Sequence, residues 1–342
     1  MKIKGKNWPF VSVVIPTLNS GRTLGLCLAA IDKQEYSGRV ELVVADGGST
    51  DGSRELAKSF GARVVVNRLK TGEAGKAAGA KQARGEILAF IDSDNILPDK
   101  NWMREMVEPF LVEKQLVASE PLYFTYRRED QWLSRYFALL GMGDPMNLFV
   151  GNYDRYSLVS GRWTELPVKF TDMGNYLLLQ LEEKYMPTIG ANGFLIRKEE
   201  LEKYPVEDYL FDIDVLKFLS KRGSLKVAKV KIGVVHLFSG DVGTFVRKQR
   251  RRIRDYLFFQ KRGVRAGEAD RGGLVWGGVK FILATLLIVP LLVQMVVGWW
   301  RRRDAAWLFH PVACWITLLT YGFETVRFWF NPREFDRSKW KQ

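Results

Sequence analysis

The stretches VSVVIPTLN at 11–19, VELVVADGGSTDGS at 40–53 and EILAFIDSDN at 86–95 decide the fold. Val11, Val13, Val14 and Ile15 form a β-branched run stopped by Pro16, the pattern of a strand buried on both faces. Residues 42–45 repeat it and run into a glycine-rich turn, and 63–66 and 87–91 read as third and fourth strands. Between them, 23–31, 53–60 and 76–83 read as helices. This alternation predicts an α/β fold, a Rossmann-like and mostly parallel sheet with helices on both faces. Ligands of such sheets bind beyond the carboxyl ends of the strands. The polar clusters 16–19, 46–51 and 92–95 all fall there, so three strands bring polar groups to one edge.

Asp92 and Asp94 stand two residues apart just past an apolar strand. Such a pair suits a Mg²⁺ or Mn²⁺ ion that bridges the oxygens of a diphosphate. An acidic turn capping a helix near Asp99 is the plainer reading; Asp46, at the end of another strand, favours the metal. Further on, MPTIGANGFLIRKEELEK at 186–203 holds Gly190, Ala191 and Gly193, small residues that let a backbone approach a ligand closely.

The motifs at 11–19 and 40–53, with GKAAGAKQARGEILAFIDSDN at 75–95, resemble in order and spacing the nucleotide-binding half of family-2 glycosyltransferases of the GT-A fold. The likeness is close over about 10–100 and looser to about 255. It implies an inverting, metal-dependent transfer of sugar from a nucleotide-sugar (UDP- or GDP-linked) donor. Pro16 and Thr17 then line the nucleobase, Asp46 contacts base or ribose, and Asp92, Ser93 and Asp94 meet ribose and metal, Asp94 directly. Lys76 falls in the Gly-Lys segment that touches the nucleotide; a solvated helix lysine is the alternative. Gly190, Ala191 and Asn192 match the segment under donor sugar and acceptor. The catalytic base corresponds to Asp212, with Asp208 as the other register of PVEDYLFDIDVLKFLSKRG at 205–223. An acceptor that is already a phosphate needs no base. His236, which closes KIGVVH at 231–236, matches a histidine that completes the metal shell. Gln249, Arg250, Arg251 and Arg252 resemble part of a Q-x-x-R-W motif, with Ile253 where tryptophan is expected, which speaks against processive synthesis.

The 342 residues carry a net charge of +14, an excess that calls for an anionic partner. Cys27 and Cys314 imply no disulfide framework or zinc site. The first ten residues lack the apolar core of a secretory signal, so a cytoplasmic setting for the catalytic part is the expectation. In GTFVRKQRRRIRDYLFFQKRGVR at 243–265, cations alternate with Phe245, Ile253, Tyr256 and Leu257. That composition suits a helix at a membrane interface better than a nucleic-acid-binding run. Residues 274–298 hold one charge, Lys280, and Pro290 predicts a kink; 305–323 is a second apolar run. Together they predict a C-terminal transmembrane hairpin. Full crossings put Arg301, Arg302 and Arg303 outside, against the usual charge bias. A re-entrant hairpin or an interfacial second run removes the conflict.

The expected organisation is therefore a GT-A domain at 1–240 (nucleotide-sugar half 10–100, acceptor half 101–240), a basic amphipathic helix at 241–272, and a membrane segment with a basic tail at 273–342. The arginines suit diphosphate or lipid phosphate, and the membrane zone points to a lipid-linked acceptor, a polyisoprenyl phosphate or lipid-linked saccharide, at the cell membrane. Membrane lipids are expected partners and nucleic acid is not. A nucleotidyltransferase on the same fold and a non-enzymatic basic scaffold are the competing readings.

Overall fold

In the computed structural model, which describes residues 7–153, 155–190, 192–238, 241–261 and 271–333, the run at 11–15 is an inner strand of a mixed sheet. The first unit takes in the described residues up to Thr125 and Val168–Leu237. It contains β1 (Val11–Thr17), α1 (Gly21–Asp32), β2 (Val40–Asp46), α2 (Ser53–Ser59), β3 (Arg63–Val66), α3 (Gly72–Gln82), β4 (Ile87–Phe90), β5 (Asn95–Ile96), α4 (Trp102–Val112) and β6 (Leu116–Phe124). After an excursion into the second unit through α5 (Trp132–Leu140) and α6 (Met146–Val150), it resumes with β7 (Lys169–Asp172), β8 (Tyr176–Leu181), β9 (Phe194–Arg197), α7 (Lys198–Leu201), α8 (Asp212–Ser220) and β10 (Leu225–His236). The strand order is β3-β2-β1-β4-β9-β6-β10-β8-β7, with β5 paired to β10.

The mostly parallel sheet of the sequence reading is only half right. β3, β2, β1 and β4 are parallel, as are β6 and β10. β9 enters antiparallel between β4 and β6, and β7, β8 and β5 also pair antiparallel. The turn between β7 and β8 is far too short for a parallel crossover, which needs a dozen or more residues. Pro16 does not end β1 either. The Val14 carbonyl accepts from Ile91, so Pro16, two residues on, faces the β4 side just past the last β4 pair, Val14–Phe90. Its missing N–H therefore breaks no ladder bond.

Helix α3 lies close on β1 because Gly79 has no side chain: a Cβ there would sit 2.3 Å from Val14 Cγ1. The core beneath joins Val13, Ile15, Leu24, Leu28, Ala89 and Met106, all buried.

The second unit takes in Tyr126–Pro167, which the sequence reading placed in the acceptor half, and the described residues from Phe238 onward. Its further helices are α9 (Val242–Lys261), α10 (Arg271–Leu287), α11 (Val289–Arg301) and α12 (His310–Phe330). Tyr136, Phe137, Phe245, Trp307 and Phe309 form its core. The expected single span at 274–298 is not continuous. The chain breaks at Ile288, where φ is 60°, and the flanking helices meet at 92°. Pro290 lies in the first turn of α11, where its missing N–H is not needed. At 17 and 13 residues, the arms are roughly 26 and 20 Å long, short of a hydrocarbon core of about 30 Å. Among the described residues one helical run, Ala305–Phe330, is long and apolar enough to cross a membrane.

Candidate active site

The site is built where β1, β2 and β4 end. Thr17 and Asp46 are register partners at the last rung of the β1–β2 ladder. Both are buried, and among the described residues Thr17 Oγ1 has no hydrogen-bond partner. Asp46 Oδ2 accepts from the backbone N–H of Gly48 (2.9 Å) and Ser49 (3.1 Å), and Arg54 approaches it at 3.7 Å. Asn19 ties the two turns together, since its Oδ1 accepts from Thr50 N and its own N–H donates to Ser49 Oγ.

Past β4, Asp92 is half-buried while Ser93 and Asp94 are buried. The turn is held by Asn95, whose Oδ1 accepts from Asp92 N (3.1 Å). Asp94 Oδ2 lies 3.4 Å from His236 Nε2 at the end of β10, and the β5–β10 pairing sets Asn95 opposite His236. Asn95 Nδ2 also donates to Asn192 Oδ1 (2.9 Å), joining this turn to the 186–193 segment. Ala191 lies outside the described residues.

Lys76 is not a solvated helix lysine. It is buried on α3, and its Nζ pairs with Asp212 Oδ2 at the start of α8. Burial pulls its ammonium down, but the carboxylates of Asp212, Asp92 and Glu73 outweigh that and hold it above the usual lysine range. Asp92 is pushed above the usual carboxylate range, first by burial and then by Asp94 and Asp212, against Lys76 and His236. Five of the proposed site residues thus act on one another electrostatically. Gly190 sits against Asp212: at φ 111° a Cβ would come within 2.1 Å of Asp212 Cβ. Asp208, by contrast, is exposed.

Carboxylate donors fit Mn²⁺ or Mg²⁺, and a neutral imidazole beside them suits Mn²⁺ better than Mg²⁺. Among the described residues no group of three or more His, Cys, Asp or Glu could hold a metal ion by itself. Asp94 and His236 fit a cation that takes its remaining ligands from substrate phosphate.

Gln249, Arg250, Arg251 and Arg252 belong to α9, in the second unit. Gln249 is buried and donates to Thr317 Oγ1 (3.1 Å). Arg250 pairs with Glu324 (2.7 Å), and Arg252 donates to the Gly143 carbonyl (3.0 Å). The structure thus gives Gln249, Arg250 and Arg252 partners within their own unit. Sequence reasoning missed Glu120 and Lys229, fully buried register partners on β6 and β10 whose Oε1–Nζ distance is 2.5 Å. Glu120 Oε2 accepts from Gly190 N (3.0 Å). The signal was faint: Glu120 is the one charge inside β6, and Lys229 is one of three lysines in β10.

Residues 12–202 match Glycosyl transferase family 2, more than half of the chain. The chain belongs to glycosyl transferase family 2. It is similar to the glycosyltransferase AglE of Haloferax volcanii (30% identity over 141 residues, 39% of this chain and 46% of the relative). It is also similar to the glycosyltransferase GlyG of Streptococcus pneumoniae (33% over 126 residues, 35% and 41%). The chain spans less than half the length of these two curated relatives. The mannosyltransferase PcManGT of Pyrobaculum calidifontis, solved with GDP-Man and Mn²⁺, shares the fold at TM-score 0.52 and 14% identity, covering 94% of this chain and 88% of that one. The mixed sheet with its helices agrees with the GT-A expectation.

Proposed function

We propose that this family member is an inverting, metal-dependent glycosyltransferase that passes a sugar from a UDP- or GDP-linked donor to a lipid-linked acceptor, a polyisoprenyl phosphate or lipid-linked saccharide, at the cytoplasmic face of a membrane. The observation that carries the transfer is the meeting of Asp92, Asp94, His236, Lys76 and Asp212 at one sheet edge. PcManGT, with its GDP-Man and Mn²⁺, supports the donor and metal classes. The nucleobase would lie at Thr17 and Asp46; the buried Thr17 hydroxyl has no partner among the described residues. Asp94 and His236, with Asp92 beside them, would hold the cation, which when bound neutralises charge growing on the departing diphosphate. Lys76 adds a second cation there. The acceptor oxygen attacks the anomeric carbon opposite the breaking bond to the diphosphate, which leaves with the electron pair. Asp212, set against Gly190, takes the proton of a hydroxyl acceptor; a phosphate acceptor has none to give up. The large exposed apolar area of α10 to α12 supports the lipid-linked acceptor.

The nucleotidyl-transfer reading needs a phosphate cradle after β1. There the Gly21 N–H is already bonded to the Asp51 carboxylate (2.8 Å), an acidic group in the wrong place.

The test is transfer from UDP- and GDP-sugars to polyisoprenyl phosphates with Mn²⁺ or Mg²⁺, read by product mass. Asp94→Ala should lower kcat/KM by at least a hundredfold, and chelation should abolish the parent's activity. Undiminished transfer by Asp94→Ala, or in excess chelator, would refute the proposed metal role.

A further inference from the structure

Helix α12 is built inside out. At about 100° per residue, His310, Cys314, Thr317, Tyr321 and Glu324 fall on one side, and Val312, Leu319, Phe323, Val326 and Phe330 on the other. The polar side is covered: His310 bonds Tyr136 and Gln294, Thr317 takes Gln249, Tyr321 bonds Asp144, and Glu324 takes Arg250 and Arg254. The apolar side is bare, with Leu319 and Phe323 each 63% exposed and Phe330 86%. α10 and α11 add Trp276, Leu287, Val289 and Trp300, all more than 60% exposed. The charge beside these helices is cationic, and the chain as a whole carries +14. An apolar face flanked by cations suits one partner, a leaflet of anionic lipid.

Whether α12 crosses that bilayer is decided by its neighbours in the same unit. α9 follows α12 in the same direction: Phe245 meets Phe309, Gln249 meets Thr317, and Arg254 reaches Glu324 and the Asn331 carbonyl. The densest cationic stretch of α9 therefore lies beside the middle of α12. Arg247 there is exposed, and Arg250 and Arg252 are each more than a third exposed. A crossing α12 would carry these charges to hydrocarbon depth, where exposed guanidinium groups are strongly disfavoured. Just before α12, Asp304 is held by Arg135 (2.9 Å) and Tyr126 (2.6 Å), and Arg301 donates to the Leu158 carbonyl (2.7 Å). Both ends of α12 are thus fastened to polar groups of their own unit. The 92° break between α10 and α11 leaves two arms too short to cross.

We propose that the chain docks on a single leaflet of an anionic bilayer and never crosses it, with α10, α11 and α12 lying at the boundary of headgroups and acyl chains. The Arg301–Asp304 loop and the end of α12 then stay on the side of the bilayer on which the chain docks, which removes the conflict between Arg301, Arg302 and Arg303 and the charge bias of membrane loops. The inference rests on the membrane half of the proposed function and is independent of the chemistry.

The test uses the full chain in sealed membrane vesicles with a membrane-impermeant maleimide. Cys27 and Cys314 are buried and serve as the silent background. Lys58→Cys marks the catalytic unit, Arg302→Cys the loop and Asn331→Cys the end of α12; all three positions are exposed. All three should label from the same side, with no gain on permeabilisation. Labelling of Arg302→Cys or Asn331→Cys only after permeabilisation, where Lys58→Cys labels before it, overturns the proposal while leaving membrane attachment and transfer standing. Leu319→Glu with Phe323→Glu alters only bare positions. It should lower binding to phosphatidylglycerol vesicles at least tenfold with unchanged circular dichroism. Full binding by this variant, with or without loss of a dimer of the chain, overturns the assignment of the face to lipid. Asp94→Ala should leave every labelling result unchanged.

Discussion

Gly190 packs so closely against Asp212, the proposed base, that no side chain fits between them. Gly190→Ala places a Cβ 2.1 Å from Asp212 Cβ on a backbone with φ 111°, a conformation that costs a non-glycine residue about 1–3 kcal/mol. Either the loop or Asp212 must move, so kcat should fall at least tenfold, while Gly174→Ala, an open positive-φ position, costs stability without that loss. Equal activity of the two variants would separate the loop from the chemistry. Asp304 offers a second single-residue test. Burial raises its carboxyl, but Arg135, Tyr126 and the Ala306 N–H outweigh that and hold it below the usual carboxylate range. A folded pKa below the unfolded value, about 3.9, gives stability that is complete above pH 5 and lost as pH falls through the folded pKa. Asp304→Asn should therefore lower the thermal midpoint at pH 7 and flatten its decline between about pH 4 and 2. A parallel downward shift at all pH values would show that this carboxylate does not carry the acid sensitivity.

At the scale of elements, the parallel strands at the amino-terminal end were legible because each is an uninterrupted apolar run closed by a polar turn. The residues at their ends were legible for the same reason. The strand pattern alone sets Asp92 and Asp94 at one edge with Asp46, whereas the choice of Asp212 over Asp208 rests on the family resemblance. What could not be read was pairing at a distance. Nothing local announces that β9 inserts antiparallel between β4 and β6, or that residues 126–167 leave the sheet for the helical unit. The kink expected at Pro290 is a 92° break at Ile288, two residues before the proline; its sharpness, set by a positive φ at isoleucine, has no sequence signal. Glu120 and Lys229 were overlooked because each charge, taken alone, looks like an interruption in a strand; only the β6–β10 register makes them a pair. Removing one partner of such a buried pair costs about 3–5 kcal/mol, whereas replacing both with apolar residues of similar volume is close to neutral. Urea unfolding should accordingly show Glu120→Leu and Lys229→Met each strongly destabilised and the double variant near the parent. The double variant also removes the acceptor for the Gly190 N–H, so its transfer rate should stay low although its fold is restored. Recovery of full activity would mean that Glu120 serves only the fold.

For the whole molecule, charge and apolar surface predict different responses to salt. A net charge of +14 attracts an anionic leaflet with about 1 kcal/mol for each cation near the surface. That attraction reaches about 10 Å at 0.1 M ionic strength and only about 3 Å at 1 M. The bare face of α12 and the exposed tryptophans of α10 and α11 contribute by leaving water, which salt does not screen. Raising the salt from 0.1 to 1 M should therefore lower affinity for phosphatidylglycerol vesicles at least tenfold, down to the affinity shown for neutral phosphatidylcholine, and then stop. Co-sedimentation across a salt series reads this plateau directly. Binding that vanishes in high salt would mean the cations act alone and the apolar face stays out of the lipid. Binding that ignores salt would mean the positive charge serves another partner, and the arginines of α9 would then have to be explained by the ion pairs they make with α12.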